Sequence, residues 1–161
     1  MTTISQLSEH DVITGSDFDA GEISGMRSAA WILLVTFALN VLVWALQRGG
    51  FPPVASLVDL FLGVQLLRLK HNWRAWALVR AGLGAAFALF IVLSGLFASS
   101  AVGLGTSILG AGQLAYCGSL FLLLFGSPSM SRVYAGRALF GLAFVLTLVG
   151  AAVLALQRVP A

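Results

Sequence analysis

The sequence predicts an all-α integral membrane protein, a polytopic helical bundle with five transmembrane helices. Three observations predict it. Of 161 residues, 59% are hydrophobic and only 9% are charged, where a soluble domain carries about a quarter. The mean hydropathy is +0.98, more apolar surface than one core of this size can hide from water. The apolar residues also fall into five runs, most of them near the roughly 20 residues that cross about 30 Å of hydrocarbon. A soluble enzyme, a disordered regulator and a disulfide scaffold are thereby excluded.

Residues 1–28 form the first segment. Glu9, Asp11, Asp17, Asp19 and Glu22 lie in it, and no basic residue precedes Arg27. A secretory signal needs a positive start followed by an apolar stretch, so this segment reads as an acidic, disordered tail. The bundle is expected over 29–157. Its first span, about 29–47, is uncharged, is bracketed by Arg27 and Arg48, and has Trp31 and Trp44 near its ends, where amphipathic rings sit at the headgroup level. Gly49, Gly50, Pro52 and Pro53 make a turn into the second span, about 54–69, which is short and carries Asp59 and Gln65. The third, about 75–98, has Arg80 near its start. A Ser/Gly connector (99–105) leads to the fourth, about 106–125, which Gly126 and Pro128 end. The fifth, about 138–156, stops at Gln157 and Arg158.

Basic residues orient such a bundle. With five spans, Arg27, Arg68, Lys70, Arg74, Arg80, Arg132 and Arg137 collect on the cytoplasmic side, and Arg48 and Arg158 face the other. If the second run is re-entrant, four spans remain, the tail moves outside, and Arg27 and Arg48 exchange sides. Charge counting does not separate the two, and both put the C-terminus outside. Five spans is preferred, because a re-entrant segment leaves backbone groups that a small protein rarely satisfies. Arg68 can also snorkel and lengthen the second helix. Small residues four apart, Ala77, Ala81 and Ala85 with Gly84 and Ala88 in the third span, and Ala143, Thr147, Ala151 and Ala155 in the fifth, predict close helix contacts.

Ionisable residues inside a span are costly and need a partner or a purpose. With about 1.5 Å rise per residue, Asp59 lies roughly 9 Å below the outer end of its helix, Asn40 roughly 9–10 Å, and Gln113 roughly 12 Å. Ser94 is shallower, and Tyr116 shares the face of Gln113 and Cys117. Asp59, Asn40, Gln113, Ser94 and Tyr116 are therefore the expected polar cluster. Asp59 reads first as a hydrogen-bonded tie between helices, a role Asn would fill as well, and second as a proton or cation site. Arg80 is expected to snorkel to the interface, with Gln65 placed to hold it; a direct Asp59–Arg80 pair needs an offset of several residues and is not expected.

Exclusions are sharper. The histidines, His10 and His71, lie in the tail and a connection, so no intramembrane pair can ligate haem and no serine protease base is present. One cysteine, Cys117, with no clustered carboxylates gives no zinc site. No phosphate-binding loop or dinucleotide fingerprint occurs, and the basic residues flank spans in place of forming a nucleic-acid face. No catalytic constellation, metal or cofactor is expected. The sequence-level expectation is a non-enzymatic accessory or assembly subunit of a membrane complex, partnered by the bilayer and by other membrane subunits or itself. The alternative is a small proton- or cation-coupled carrier or channel using Asp59. Eight arginines against one lysine, with abundant Ala, Gly and Leu, suggest a bacterial cytoplasmic (inner) membrane.

Overall fold

The computed structural model describes residues 20–46, 54–70, 72–98 and 101–156, and every regular element among them is an α-helix. In chain order these are α1 (Ala20–Leu46), α2 (Val54–Leu67), α3 (Asn72–Phe97), α4 (Ala101–Leu124) and α5 (Met130–Leu156). Four of them, α1, α3, α4 and α5, are long and apolar enough to cross a membrane; α2, with 14 residues, is shorter.

Several helices outrun their apolar runs. Residues 20–28, placed in the tail by sequence, are the first turns of α1; residues 1–19 of that tail lie outside the described residues. Glu22 sits in the first turn, where the helix dipole favours an acid, and the Ser28 hydroxyl donates to the Ser24 carbonyl, so these polar residues suit a helix that extends past the hydrocarbon. α5 likewise begins at Met130, not near 138. The Ser129 carbonyl accepts the first helical bond, from Val133 N at 3.1 Å, which makes Ser129 the N-cap. α4 begins at Ala101, so most of the expected Ser/Gly connector is helical.

α2 ends earlier than expected. Leu69 N donates to Leu66 O (3.0 Å) and Lys70 N to Gln65 O (3.3 Å), the paired bonds of a Schellman cap, with Leu69 at φ 53° in the left-handed position that glycine usually takes. Leu69 packs against the core, and that contact holds the turn. The cap stops α2 at Leu67, so Arg68 does not lengthen it.

α1, α3 and α5 all begin at one end. Glu22 of α1 forms an ion pair with Arg74 of α3, whose Nε also donates to the Leu124 carbonyl at the end of α4. A guanidinium there meets the negative pole of the α4 dipole. From α5, Arg137 reaches Ser28 and Ser24 of α1. The bundle is closed most tightly at this end. Met26, Ala29, Ala30 and Leu33 of α1 are buried with Leu66, Leu120, Leu123, Leu124 and Val133. The far half of α1 leaves the bundle, and Leu39, Leu42 and Val43 are exposed.

α4 lies between α3 and α5 along glycine contacts. On α3 the buried residues are Arg74, Ala77, Ala81, Gly84, Ala88 and Gly95, alternating three and four apart and then seven. On α5 the buried small residues are Gly136, Ala143 and Gly150, seven apart. This is the heptad spacing of left-handed helix packing. The α3 stripe agrees with the sequence reading. The α5 stripe does so at Ala143, which is buried, and at Thr147, which is exposed but touches Gly112 of α4; Ala151 and Ala155 are exposed, because a period of four drifts off the α4 contact while a period of seven keeps it.

Candidate intramembrane polar site

The site is built where α2, α3 and α4 meet. Ser56, Asp59 and Gly63 share the buried face of α2, as their spacing predicts, and Gly63 lets the helix approach Ala30 and Leu34 of α1. Asp59 is 1% exposed. Its Oδ2 accepts a hydrogen bond from Arg80 Nη2 at 3.3 Å, and its Oδ1 lies 3.2 Å from Arg80 Nε. Arg80 therefore pairs with Asp59 and does not simply snorkel, and Gln65 does not hold it: the Gln65 Oε1 is buried without a hydrogen bond.

The reason is countable. Eight residues separate Asp59 from Leu67 at the end of α2, and eight separate Asn72 at the start of α3 from Arg80. The two side chains stand about 12 Å from the same turn, with no offset. Depth measured from opposite ends of helices of unequal length hides this match.

α4 supplies the rest. A methyl group added at Gly84 would lie 3.0 Å from Cys117 Sγ, 3.2 Å from Arg80 Nη1 and 3.9 Å from Gln113 Nε2, so the absent side chain leaves room for the guanidinium beside Gln113 and Cys117. Tyr116 is buried, its ring 6.4 Å from that of Phe140. Its hydroxyl faces Thr36 of α1 without a hydrogen bond of normal geometry. Thr36 donates its own proton to the Ile32 carbonyl.

Of the five residues expected in the cluster, Asp59, Gln113 and Tyr116 are brought to it. Ser94 and Asn40 are not. Ser94 is exposed on α3 and bonds the Phe90 carbonyl of its own helix, which satisfies a hydroxyl in an apolar setting. Asn40 is exposed on the part of α1 that leaves the bundle, and it makes no hydrogen bond among the described residues. Sequence reasoning missed Arg80 as a member because the expected bounds, 54–69 and 75–98, put Asp59 ten residues and Arg80 five from the turn; the earlier end of α2 and the earlier start of α3 bring them level.

Chemically the cluster is a charge-neutral ion pair ringed by an amide, a phenol and a thiol. Arg80 also borders an open groove between α2 and α3, about 510 Å³, walled by Leu57, Phe61, Trp76 and Leu83. Phe61 and Trp73 close its turn end edge to face, with ring centres 4.9 Å apart. Among the described residues no group of three His, Cys, Asp or Glu side chains is placed to hold a metal ion. No family model, curated protein or solved structure matches the chain.

Proposed function

We propose that the chain is a five-pass membrane protein acting as a non-enzymatic accessory or assembly subunit of a membrane complex. Asn40 carries the reading. It is a polar side chain in the interior of an apolar helix, exposed and without a hydrogen bond among the described residues, on the mostly exposed end of α1 beyond Phe37. Amides in that setting seek a partner across a helix interface, where each bond is worth about 0.6–2 kcal/mol. A second subunit, foreign or identical, would supply it. Native mass spectrometry of the protein extracted in mild detergent tests this. The wild type is expected to retain a partner subunit or a second copy. Asn40→Val is expected to lose it while its own unfolding stays within about 0.5 kcal/mol, as for a surface change. Wild-type protein that is strictly alone, or an unchanged stoichiometry in Asn40→Val, would refute it.

Five crossings are supported by the shared end of α1 and α3. A re-entrant α2 would return to the side it left and put the start of α3 opposite the start of α1; the Glu22–Arg74 pair brings these starts together. The shortness of α2, about 21 Å, is then met by local thinning of the bilayer. Arg27, Arg68, Lys70, Arg74, Arg132 and Arg137 belong to that same end, so it is the cytoplasmic one and the C-terminus lies outside. The arginine-rich composition favours a bacterial inner membrane. A cysteine placed at Thr2 is expected to react with a membrane-impermeant maleimide only after the membrane is broken; labelling from outside intact spheroplasts would reverse the orientation.

A proton- or cation-coupled carrier is the second reading, favoured by two buried atoms at the site that make no hydrogen bond, the ion-paired Asp59 Oδ1 and the Tyr116 hydroxyl. Against it stands Arg80, which a cation would have to displace from the carboxylate.

A further inference from the structure

Three arginines sit between helices toward the end where α1, α3 and α5 begin. Arg74 has Glu22 and Arg80 has Asp59, whereas Arg137 has no carboxylate among the described residues. Its Nε donates to Ser28 Oγ at 3.0 Å, its Nη2 donates to Ser24 Oγ at 3.3 Å, and its guanidinium carbon lies 5.9 Å from the centre of the Tyr134 ring. Ser28 gives its own proton to the Ser24 carbonyl, so at Arg137 it acts as an acceptor. The serines thus hold the Nε–Nη2 edge of the fork. The Nη1–Nη2 edge is left for a second ligand, and neutral hydroxyls cancel none of the charge.

Next to this oriented cation runs a groove of about 300 Å³ between α1 and α5, lined by Ser28, Trp31, Ile32, Val35, Arg137 and Phe140. Its polar part, Ser28 and Arg137, falls where the apolar runs begin at Ala29 and Ala138, and the remainder is apolar and aromatic. A phosphate with an apolar chain attached matches this order of groups.

We propose that the groove between α1 and α5 binds one anionic phospholipid, with the phosphate on the Nη1–Nη2 edge of Arg137 and an acyl chain along Trp31, Ile32, Val35 and Phe140. Basic pockets between membrane helices on the cytoplasmic side take such headgroups, and bidentate guanidinium–phosphate pairing supplies the selectivity.

The test is native mass spectrometry of delipidated protein titrated with phosphatidylglycerol or phosphatidylcholine, with folding followed by thermal melting. Wild type is expected to retain one phosphatidylglycerol at concentrations where phosphatidylcholine is lost. Arg137→Gln and Val35→Trp are each expected to weaken that retention about tenfold, the first by removing the charge-assisted pair and the second by filling the groove with the serine contacts intact. Arg132→Gln, which removes an exposed charge elsewhere at the same end, is expected to leave retention unchanged. Equal retention of the two lipids, or equal losses in Arg137→Gln and Arg132→Gln, would overturn the proposal. So would retention that rises in Asp17→Asn/Asp19→Asn while Arg137→Gln changes nothing, which would make the acidic segment the occupant.

Discussion

Asp59→Leu/Arg80→Leu is expected to unfold at nearly the same denaturant concentration as the wild type, while each single substitution is clearly destabilised. Removing one member of a buried pair strands the other charge in an apolar setting, whereas replacing both with well-packed apolar residues is often neutral or better. The two singles differ. Arg80→Leu leaves a carboxylate whose side chain is 2% exposed, for an expected loss of about 3 kcal/mol. Asp59→Leu leaves a guanidinium that is 29% exposed and can turn into the α2–α3 groove, so the loss is smaller, about 2 kcal/mol. Asp59→Asn, harmless if Asp59 were only a hydrogen-bonded tie, is expected to behave like Asp59→Leu, because the charge of Arg80 loses its counterpart. Denaturant titration in detergent micelles reads all four variants. A double variant as unstable as the worse single would show that the two residues do not act as a pair. The same double variant separates the functional readings: an accessory subunit keeps its partner, and a carrier loses its flux.

Gly95→Val is expected to cost about 2–3 kcal/mol by forcing α3 and α4 apart. An added Cβ at Gly95 would stand 2.7 Å from the Gly103 carbonyl oxygen and 2.8 Å from the Ser107 nitrogen, in contact with backbone that cannot rotate aside. Gly141, on the exposed side of α5, has nothing within 4 Å of the same position, and Gly141→Val is the matched control, expected to change stability little. Equal stability of the two variants would mean that the α3–α4 approach is loose.

The all-helical fold, with four helices long and apolar enough to cross a bilayer, was legible because composition and run length set both. Helix ends were less legible, since an apolar run marks where hydrocarbon begins and not where hydrogen bonding stops. Ser24 and Ser28 lie beyond the run and are helical all the same. Pro128 read as the end of the fourth span, and Arg132 and Arg137 made the stretch after it read as a connection, although Ser129 caps α5 there. Within the site, which residues share a face of α2 or α4 was legible, whereas the depth of Arg80 relative to Asp59 and the direction of Asn40 were not. Asp59, Gln113 and Tyr116 converge, while Asn40 at a similar depth faces outward because α1 diverges beyond Phe37. That divergence depends on packing between distant segments, which no local pattern in α1 records.

Three helix starts and two helix ends meet at the proposed cytoplasmic face, so one helix macrodipole remains uncancelled, its positive pole of about half an elementary charge turned toward the cell interior. In an energised membrane, negative inside, that pole gains about 1 kcal/mol per 100 mV from the field itself. The fold is thereby electrically polarised through its backbone as well as its arginines, and an energised bilayer favours the orientation into which those arginines direct it.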